Sequence, residues 1–348
     1  MVKSMFAAVA GLRAHQSKMD VIGNNIANVN TYGYKTARAS FRDVFYATNS
    51  GASDAGATYG GTNPSQLGYG SKLGSIDSIM STGGVATTDC STDCMIIGNG
   101  FFMVGQMPQT EAEEDAAEDV VGGIVVGTGG AAEDAAGDDA EMKAGEVDQT
   151  AVSALQLTRV GIFNFDGAGN FVDSNGRLVY GFATTYEPNE DDATAGGEYV
   201  VDRTRLVPLK LPNANVNAEE AGDDDAEYAP LVLKEISIGP DGTITGKADN
   251  GETVIVGQIA IANVPNPNAL ERTENSYYNI KANTGEVTVN PAGQNSTGTI
   301  QAGVLEMSNV DLSREFTDMI TTQRGYQANT RIITVTDAML EELVNMKR

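Results

Sequence analysis

The chain has 348 residues, of which 22 are basic and 47 acidic, giving a formal net charge of −25 at pH 7. A charge this negative argues against nucleic acid as a partner, because phosphates are neutralised by Lys and Arg, and against docking on an anionic membrane. With one His in the sequence, a His-rich metal site is excluded, and we predict neither metal nor cofactor. No apolar run has the roughly 18 residues that a spanning helix needs, so we predict no membrane insertion.

The N-terminal segment is predicted to form a helix over residues 1 to about 28. Apolar side chains recur at every seventh position, namely Met5, Leu12, Met19 and Ile26. This spacing gives an apolar stripe of near-heptad period. An Asn-rich run that contains Asn24, Asn25 and Asn28 ends the helix before Gly33, because Asn and Gly tolerate the left-handed backbone needed there.

The C-terminal segment repeats this design up to about Lys347. We expect Ser308 or Asn309 to cap the helix, with Asp311 in its first turn. The apolar positions are again seven residues apart: Leu312, Met319, Tyr326, Ile333 and Leu340. A second column is imperfect, since it contains Gln323, Thr330 and Asp337. The stripe therefore favours several shallow contacts over a single two-helix interface from which water is excluded.

The middle of the chain is predicted to be β-rich. Short runs of β-branched and aromatic residues, such as 95–97, 101–104, 161–165, 170–172 and 254–261, alternate with turn signals. Asn-Gly and Asp-Gly pairs at this spacing, at 99–100, 166–167, 175–176 and 241–242, indicate hairpins in an antiparallel domain. The fold class is thus α+β, with the N- and C-terminal helices paired as a coiled-coil-like terminal domain (1–30 plus 308–348) and a central antiparallel β-rich domain (73–307).

Two acidic segments interrupt this middle part. Residues 111–148 and 187–227 hold 25 of the 47 acidic side chains and are rich in Ala and Gly. Such a composition buries too little apolar area to offset chain entropy. We interpret 106–156 and 187–230 as solvated excursions. Calcium loops are the alternative, but the required ligand spacing is absent.

The sequence contains no recognisable catalytic site. His15 lies within the first predicted helix, which offers no pocket for a general base. The Gly98-Asn-Gly100 segment lacks the further Gly of a nucleotide-binding loop and is predicted to be a hairpin turn. Cys90 and Cys94 are interpreted as two free thiols, with Cys94 partly buried. We therefore predict a protein that is not an enzyme.

The two ends of the chain carry the strongest indication of function. Both extreme ends hold apolar stripes, and residues 1–48 have six basic but only two acidic side chains. Stripes of this kind are interaction surfaces, so the ends are predicted to associate with each other and with other copies while the acidic middle faces water. The residues proposed for self-assembly are the two heptad rows named above.

With these features the sequence resembles the bacterial flagellar rod and hook axial proteins. The matching N-terminal motif includes Asn24, Asn25, Ala27, Asn28 and Gly33 within residues 19–35. Residues 60–64 and 98–102 resemble the family's following blocks. The C-terminal motifs are the run 305–312, with Ser308, Asn309 and Val310, and the run 322–329, with Gln323 and Arg324. The resemblance covers about residues 1–105, 157–186 and 231–348.

The resemblance implies a structural subunit of the flagellar hook, the curved tube that transmits motor torque from rod to filament. It implies a homopolymer with a helical inner tube, a connecting segment over 31–72 that braces neighbouring subunits, and an outer β-rich domain. Expected partners are the distal rod, hook cap and hook–filament junction proteins and the flagellar type III export apparatus. The protein would be extracellular, in the hook or basal body, and exported without a cleaved signal peptide.

Other functions stay open on the residues alone. A distal rod subunit would share the family and the short chain length. An acidic extracellular adhesin would use the β domain and would not need residues 1–30 and 308–348. An acidic hydrolase is the least favoured, since no site for it is recognisable.

Overall fold

The fold is that of a computed structural model, which describes residues 2–54, 56, 60–106, 124–125, 149–187, 198–211, 233–248 and 253–346. The chain forms two compact units. The terminal unit comprises Met1–Asn30, Lys35–Met80 and Ser308–Arg348, and the β unit comprises Thr31–Tyr34 and Ser81–Met307. The predicted α+β class is confirmed.

The helices lie mainly at the two ends of the chain. They are α1 (Val2–Ala27), α2 (Gln149–Ser153) and α3 (Leu312–Asn345), with 3-10 turns at Pro267–Ala269 and Glu274–Ser276. The predicted terminal helices are therefore present, and their ends fall within a few residues of the expected ones.

The terminal unit adds two small antiparallel hairpins to α1 and α3. Its strands are β1 (Ala37–Asp43), β2 (Tyr46–Ser50), β3 (Ser65–Gly68) and β4 (Ser71–Ser78). Strand β1 pairs with β4 and β2 with β3, and both β1 and β4 pack on α1. Gly70, at φ +106°, allows the chain directly before β4 to lie close to α1, because a Cβ there would lie 3.1 Å from the backbone of Ala7.

The N-cap of α3 differs from the prediction. Asp311 is the capping residue, and its carboxylate accepts hydrogen bonds from the amides of Ser313 and Arg314 at 3.0 and 3.3 Å. The expectation that Ser308 or Asn309 would cap is wrong because the chain enters the helix later. The Asn309 side chain is instead bonded to backbone groups of Thr36 and Ile79.

The β unit is built around a sheet of 13 described strands. The strands of this unit are β5 (Val85–Thr87), β6 (Cys94–Ile97), β7 (Phe101–Gly105), β8 (Ile124–Val125), β9 (Gln156–Thr158), β10 (Phe163–Phe165), β11 (Phe171–Asp173), β12 (Leu178–Glu187), β13 (Glu198–Pro208), β14 (Leu233–Ile238), β15 (Thr243–Ala248), β16 (Thr253–Asn263), β17 (Glu271–Arg272), β18 (Tyr277–Asn279), β19 (Thr288–Pro291), β20 (Thr299–Ala302) and β21 (Val304–Glu306). The main order is β10-β11-β12-β16-β7-β9-β18-β17. Each pairing recorded among the described strands is antiparallel, as predicted.

An aromatic and aliphatic cluster of described residues lies in the core of the β unit. It includes Phe102, Phe163 and Phe171. The ring centroids of Phe102 and Phe163 are 5.1 Å apart, and those of Phe163 and Phe171 are 5.2 Å apart. These rings lie on β7, β10 and β11, which the alternation of apolar residues and turns had predicted as strands. Burial of such side chains is the main stabilising term of a β domain.

The hairpin predictions are confirmed in three places and wrong in one. Turns at 166–170, 173–177 and 239–242 join the paired strands β10–β11, β11–β12 and β14–β15. The turn at Gly98–Gly100 does not close a hairpin. Strand β6 pairs with β20 and β7 with β16 and β9, since the turn carries the chain from one sheet to the other.

Parts of the two acidic segments lie among the described residues. Strand β13 lies within 187–230, pairs with β12 and β8, and buries Leu206 completely. The interpretation of this segment as a solvated excursion is therefore wrong for Glu198–Pro208, because apolar Leu206 and Val207 supply the burial that the acidic residues cannot. Helix α2 lies at the end of 106–156. Most of the remaining residues of the two segments lie outside the described part of the chain.

A buried ion pair joins distant segments of the β unit. Arg159 and Glu306 are 2% and 1% exposed, with Nη1 3.4 Å from Oε2. The guanidinium also donates to the carbonyls of Ile96 and Gly98. The second carboxylate oxygen accepts from the Gly83 amide at 2.9 Å. The pair thus ties β9, β6 and β21 to the segment that enters the β unit near residue 83.

Candidate self-assembly surface

The two terminal helices pack against each other through small and polar residues. Gly11 faces Asn329, since a Cβ at Gly11 would lie 2.8 Å from Asn329 Nδ2. Gly325 faces His15, since a Cβ there would lie 2.8 Å from the imidazole ring. Going from Gly11 to His15 along α1, the facing residue on α3 changes from Asn329 to Gly325. The residue numbers run in opposite directions, so the two helices are antiparallel. Each helix contributes one glycine that receives a larger side chain of the other.

His15 occupies the space between α3 and the first hairpin. Its ring contacts Gly325 on one side and meets the Phe41 ring edge-on at 5.8 Å between centroids. His15 thus packs inside the terminal unit, against α3 and β1.

Asn25 joins three elements of the terminal unit. Its amide group donates to the Ala37 carbonyl at 2.8 Å and accepts from the Ala37 amide at 3.0 Å, which fixes the start of β1. The same Nδ2 donates to Glu315 Oε1 on α3 at 3.2 Å. Burial raises the pKa of Glu315, although the Asn25 hydrogen bond opposes this shift. The predicted motif residue Asn25 is thus a buried connector between α1, β1 and α3.

Asn309 performs a similar function at the other end of the chain. Its Oδ1 accepts from the Thr36 amide at 2.7 Å, and its Nδ2 donates to the Ile79 carbonyl at 2.8 Å. One side chain therefore links the start of α3 to the segments on both sides of the β1–β4 hairpin. The neighbouring motif residues Ser308 and Val310 are half-buried.

The remaining N-terminal motif residues act locally. Asn28 donates to the carbonyl and the side chain of Asn24, at 2.9 and 3.0 Å, and so closes the last turn of α1. Ala27 is exposed. Gly33, at φ +68°, belongs to the β unit, where its amide donates to the Glu306 carbonyl at 2.8 Å. A Cβ at Gly33 would lie 3.0–3.1 Å from Val160 and Arg159, so the position requires glycine.

The predicted apolar rows lie beside the contact seam. The half-buried members are Met5, Leu12, Met19, Ile26, Met319, Tyr326 and Ile333, and the exposed ones are Leu312 and Leu340. The structure brings the two rows to the same helix pair, but it leaves each of them partly uncovered. Their role in self-assembly therefore stays a prediction.

Sequence reasoning missed the column of α3 that is most buried. The buried residues of this helix are Glu315, Thr322 and Thr336, which are polar and seven or fourteen residues apart. The predicted second column is displaced by one position, since Gln323, Thr330 and Asp337 are exposed, as is Arg324. The signal that could have found the seam is the pair of helical glycines, because glycine permits close approach of helices.

The apolar side of α3 faces outward instead. Ten large apolar side chains in this helix and at its C-cap are exposed, in one group over 312–320 and a second over 332–346: Leu312, Phe316, Ile320, Ile332, Val335, Met339, Leu340, Leu343, Val344 and Met346. A helix that buries threonines and exposes its large apolar residues is the reverse of an ordinary surface helix. Exposed apolar surface of this extent is typical of protein–protein contacts.

The β2–β3 hairpin is also poorly covered. Nearly all of its residues are exposed, and Phe45, Tyr46 and Leu67 are large apolar or aromatic side chains among them. An isolated two-stranded hairpin is marginally stable in water. Its exposed side chains are therefore candidates for contacts with another molecule.

Neither a metal centre nor a membrane span is found in the described residues. No group of three or more His, Cys, Asp or Glu side chains there is placed to hold a metal ion. No described helix is long and apolar enough to cross a membrane. Both cysteines are free thiols, as predicted; Cys90 is exposed, and Cys94 is completely buried where partial burial was expected.

A β unit combined with terminal helices that leave their apolar side chains uncovered defines a structural subunit that associates with other proteins. The chain matches the flagellar basal body rod FlgEFG protein C-terminal family over residues 301–346. It matches the flagella basal body rod protein family over residues 5–35. Both matches fall on the terminal helices and their motifs.

Two curated relatives extend the similarity to the full chain. The flagellar basal-body rod protein FlgG of Bacillus subtilis is 34% identical over 349 residues, which cover all of both chains. The flagellar hook protein FlgE of Borreliella burgdorferi is 29% identical over 442 aligned positions, again covering all of both chains. The chain belongs to the flagellar hook and rod protein family, and it is a structural component of the bacterial flagellum.

Proposed function

We propose that this protein is the subunit of the flagellar hook and polymerises into a curved tube. The observation that supports this most directly is the reversed terminal helix, which buries Glu315, Thr322 and Thr336 and exposes ten large apolar side chains. Such a surface is costly for a monomer in water and is stabilised when other copies cover it. The coiled-coil-like pairing of the ends belongs to the same proposal, with the heptad rows packed between copies.

The tube follows from the kind of contact that these helices allow. When two different surfaces of the subunit meet and the rotation does not close a ring, identical subunits form an open helix. In this proposal the terminal unit forms the inner tube and the β unit the outer layer. The β2–β3 hairpin, with exposed Phe45 and Tyr46, braces a neighbouring subunit.

The mechanical role follows from the two kinds of surface. The helical core transmits torque, because packed helices resist twisting. The outer β units slide over one another as the tube bends, and their acidic segments limit adhesion between neighbours by like-charge repulsion.

Export and partners complete the proposal. The subunit leaves the cell through the flagellar type III apparatus as an unfolded chain, which is consistent with two free thiols in place of a disulfide framework. In the flagellum it contacts the distal rod, the hook cap and the hook–filament junction proteins. Polymerisation itself requires neither cofactor nor catalysis.

The hook is favoured over the distal rod by the C-terminal motifs, because the runs 309–312 and 324–327 resemble those of hook proteins. The distal rod subunit is the second candidate, because the Bacillus subtilis rod relative matches end to end at 34% identity. Both candidates share the helical self-assembly surface.

Immunogold electron microscopy of detached flagella with intact basal bodies separates the two. We expect gold on the short curved segment between rod and filament. Labelling confined to the straight rod would establish the distal rod subunit, and labelling of the cell surface away from flagella would favour an adhesin.

The self-assembly surface is tested by charge insertion. Ile333→Asp should abolish polymerisation, because Ile333 belongs to the half-buried apolar row, while the β unit stays folded. Thr334→Asp is the matched control, since Thr334 is exposed on the neighbouring position. If both variants polymerise like the parent chain, the helical surface is not the assembly surface.

A further inference from the structure

The chain passes between its two units at four places. These crossings lie between residues 30 and 31, 34 and 35, 80 and 81, and 307 and 308. On the side of the β unit they adjoin three short stretches, which we call the entry segments: 31–34, 81–84 and 304–307. Force that travels along the backbone from one unit to the other therefore enters the β unit through these segments.

Glu306 holds all three entry segments together. Its backbone carbonyl accepts from the Gly33 amide at 2.8 Å, and its side-chain Oε1 accepts from the Gly83 amide at 2.9 Å. Glu306 itself belongs to the third segment, where the next residue, Met307, donates to the Gly84 carbonyl at 2.8 Å. One residue thus bonds directly to both other entry segments and lies one residue before the last crossing.

Arg159 anchors Glu306 in the interior of the β unit. The two side chains form the buried ion pair described above, so the Gly83 amide donates to a buried carboxylate, and such a bond is stronger than one between neutral groups. The first entry segment also lies directly against the backbone of Arg159 and Val160, since a Cβ at Gly33 would be 3.1 Å from atoms of each.

A row of aromatic rings and guanidinium groups connects the first entry segment to the same ion pair. The Arg272 guanidinium lies 5.4 Å from the centroid of the Tyr34 ring and 5.9 Å from that of Tyr278. The Tyr278 and Phe101 centroids are 5.5 Å apart, and the Arg159 guanidinium lies 5.2 Å from the Phe101 centroid. Cation–π contacts of this kind are stronger where they are withdrawn from water.

The Arg159–Glu306 pair differs in burial from the other ion pairs recorded among the described residues. The side chains of those pairs are 27–63% exposed, whereas Arg159 and Glu306 are 2% and 1% exposed. Replacing a buried ion pair by apolar residues is often neutral or stabilising, so net stability alone does not explain such a pair. Its position beside the crossings is explained when its role is to fix the geometry of the entry segments.

We propose that Glu306 is the force-transmitting node of the subunit, where load that arrives from the terminal unit is distributed into the β unit. This inference rests on the proposed role in torque transmission and names the residues that carry the torque. No entry segment can move away from the others without breaking a bond to Glu306. Load on any one crossing is therefore shared by all three segments and by the buried ion pair.

Amide hydrogen exchange of the full chain, measured by NMR, tests whether the node holds the entry segments. In the parent chain the Gly33 and Gly83 amides should exchange as slowly as the core amides of β7, because they open only when the β unit opens. Exchange of either amide at the rate of the exposed β2–β3 hairpin would overturn the inference. Arg272→Gln removes the cation beside the Tyr34 ring, so the Gly33 amide should exchange about two- to thirtyfold faster.

Arg177→Gln is the matched control for this substitution. Arg177 is half-buried, as Arg272 is, and its guanidinium lies 4.7 Å from the centroid of the Tyr277 ring, but it adjoins no entry segment in the sequence. The Gly33 amide should therefore keep the exchange rate of the parent chain in Arg177→Gln. Equal acceleration in the two variants would mean that the row of rings does not act on the entry segment, and the inference would be wrong.

A measurement on assembled flagella tests the transmission of force. Under the same motor torque, hooks built from Arg272→Gln chains should twist further than hooks built from Arg177→Gln chains, as read from the torsional compliance of tethered cells. Intact hooks of equal compliance would refute the node while the hook proposal stands. If the parent chain does not restore hooks to a strain that lacks its own copy, the hook proposal fails and the force-transmitting role fails with it.

Discussion

The buried ion pair of the β unit provides the sharpest test of its energetics. Arg159 Nη1 lies 3.4 Å from Glu306 Oε2, and both side chains are almost completely excluded from solvent. Burial lowers the pKa of the Arg159 guanidinium, and Glu306 opposes that shift by stabilising its charge. We consider Glu306→Gln, which preserves the size of the side chain and removes its charge.

The expected loss of stability is large. Arg159 keeps its hydrogen bonds to the Ile96 and Gly98 carbonyls, but its positive charge no longer has a carboxylate beside it. Breaking a buried ion pair on one side costs about 3–5 kcal/mol. Each ~1.4 kcal/mol is a factor of ten in an equilibrium constant, so the unfolded population of the β unit should rise between about a hundredfold and several thousandfold.

Amide hydrogen exchange is the suitable assay, because the chain has two units and exchange resolves them separately. Core amides of β7 should exchange faster in Glu306→Gln by the factor given above, while those of α1 change little. Glu271→Gln is the control. Glu271 forms a 3.2 Å ion pair with Lys281 in the same unit, but the two side chains are 57% and 59% exposed, so less than about 1 kcal/mol is expected. Similar exchange in the two variants would refute the reasoning.

Three further predictions concern single positions. Gly161→Ala should destabilise the β unit by about 3 kcal/mol or more, because its Cβ would lie 1.8 Å from the Cys94 carbonyl oxygen; Gly167→Ala, with no neighbour within 4 Å, should be well tolerated in the same thermal melt. In native protein a maleimide should modify Cys90 rapidly and Cys94 only after unfolding, since burial, and secondarily the nearby Asp93 carboxylate, raise the pKa of the Cys94 thiol; rapid labelling of two thiols per chain would contradict this. Burial raises the folded-state pKa of Glu315. The contribution of this side chain to stability is therefore full below its unfolded-state pKa and is lost as the pH rises through its folded-state pKa. Glu315→Gln should remove this pH dependence, and a variant with the same pH profile of helix unfolding as the parent chain would contradict the prediction.

The sequence was sufficient to predict the helices because their signal is local and repeated. Apolar residues at every seventh position are visible in any window of two or three turns, and the structure has helices over Val2–Ala27 and Leu312–Asn345. The cap of α3 could not be decided in the same way. Asn309 and Asp311 are both good N-cap residues, and the choice depends on Thr36 and Ile79, which bind Asn309 from more than 200 positions away.

The same limit explains the misassigned turn in the β unit. A glycine-rich turn between two apolar runs predicts a hairpin when only neighbours in sequence are considered. Strand β6 instead pairs with β20, some 200 residues later. A Cβ at Gly100 would lie 2.2 Å from Ile261 Cγ2, so the glycine is required by a distant strand and not by a tight two-strand turn.

The seam between the terminal helices shows why the candidate site was only half predictable. Hydrophobic periodicity identifies which side chains are apolar, but it does not say whether a given stripe is covered by the same chain or by another one. In α3 the chain's own contacts use Gly325 and Asn329, which lie against His15 and Gly11 of α1 and so fix one register. Polar or small contacts of this kind specify alignment at some cost in stability.

This division of roles fits a subunit that must first fold alone and then assemble. A seam of glycine notches and buried polar groups sets the alignment of α1 on α3, because a shift by one turn would place Asn329 and His15 against side chains instead of Gly11 and Gly325. In the proposed tube the large apolar residues make the contacts between copies, where non-directional apolar packing tolerates the small displacements that bending requires. An apolar seam inside the subunit, combined with polar surfaces between subunits, would give the opposite properties. The two helices could then slip along each other, and the contacts between subunits of the tube would be weak and direction-dependent.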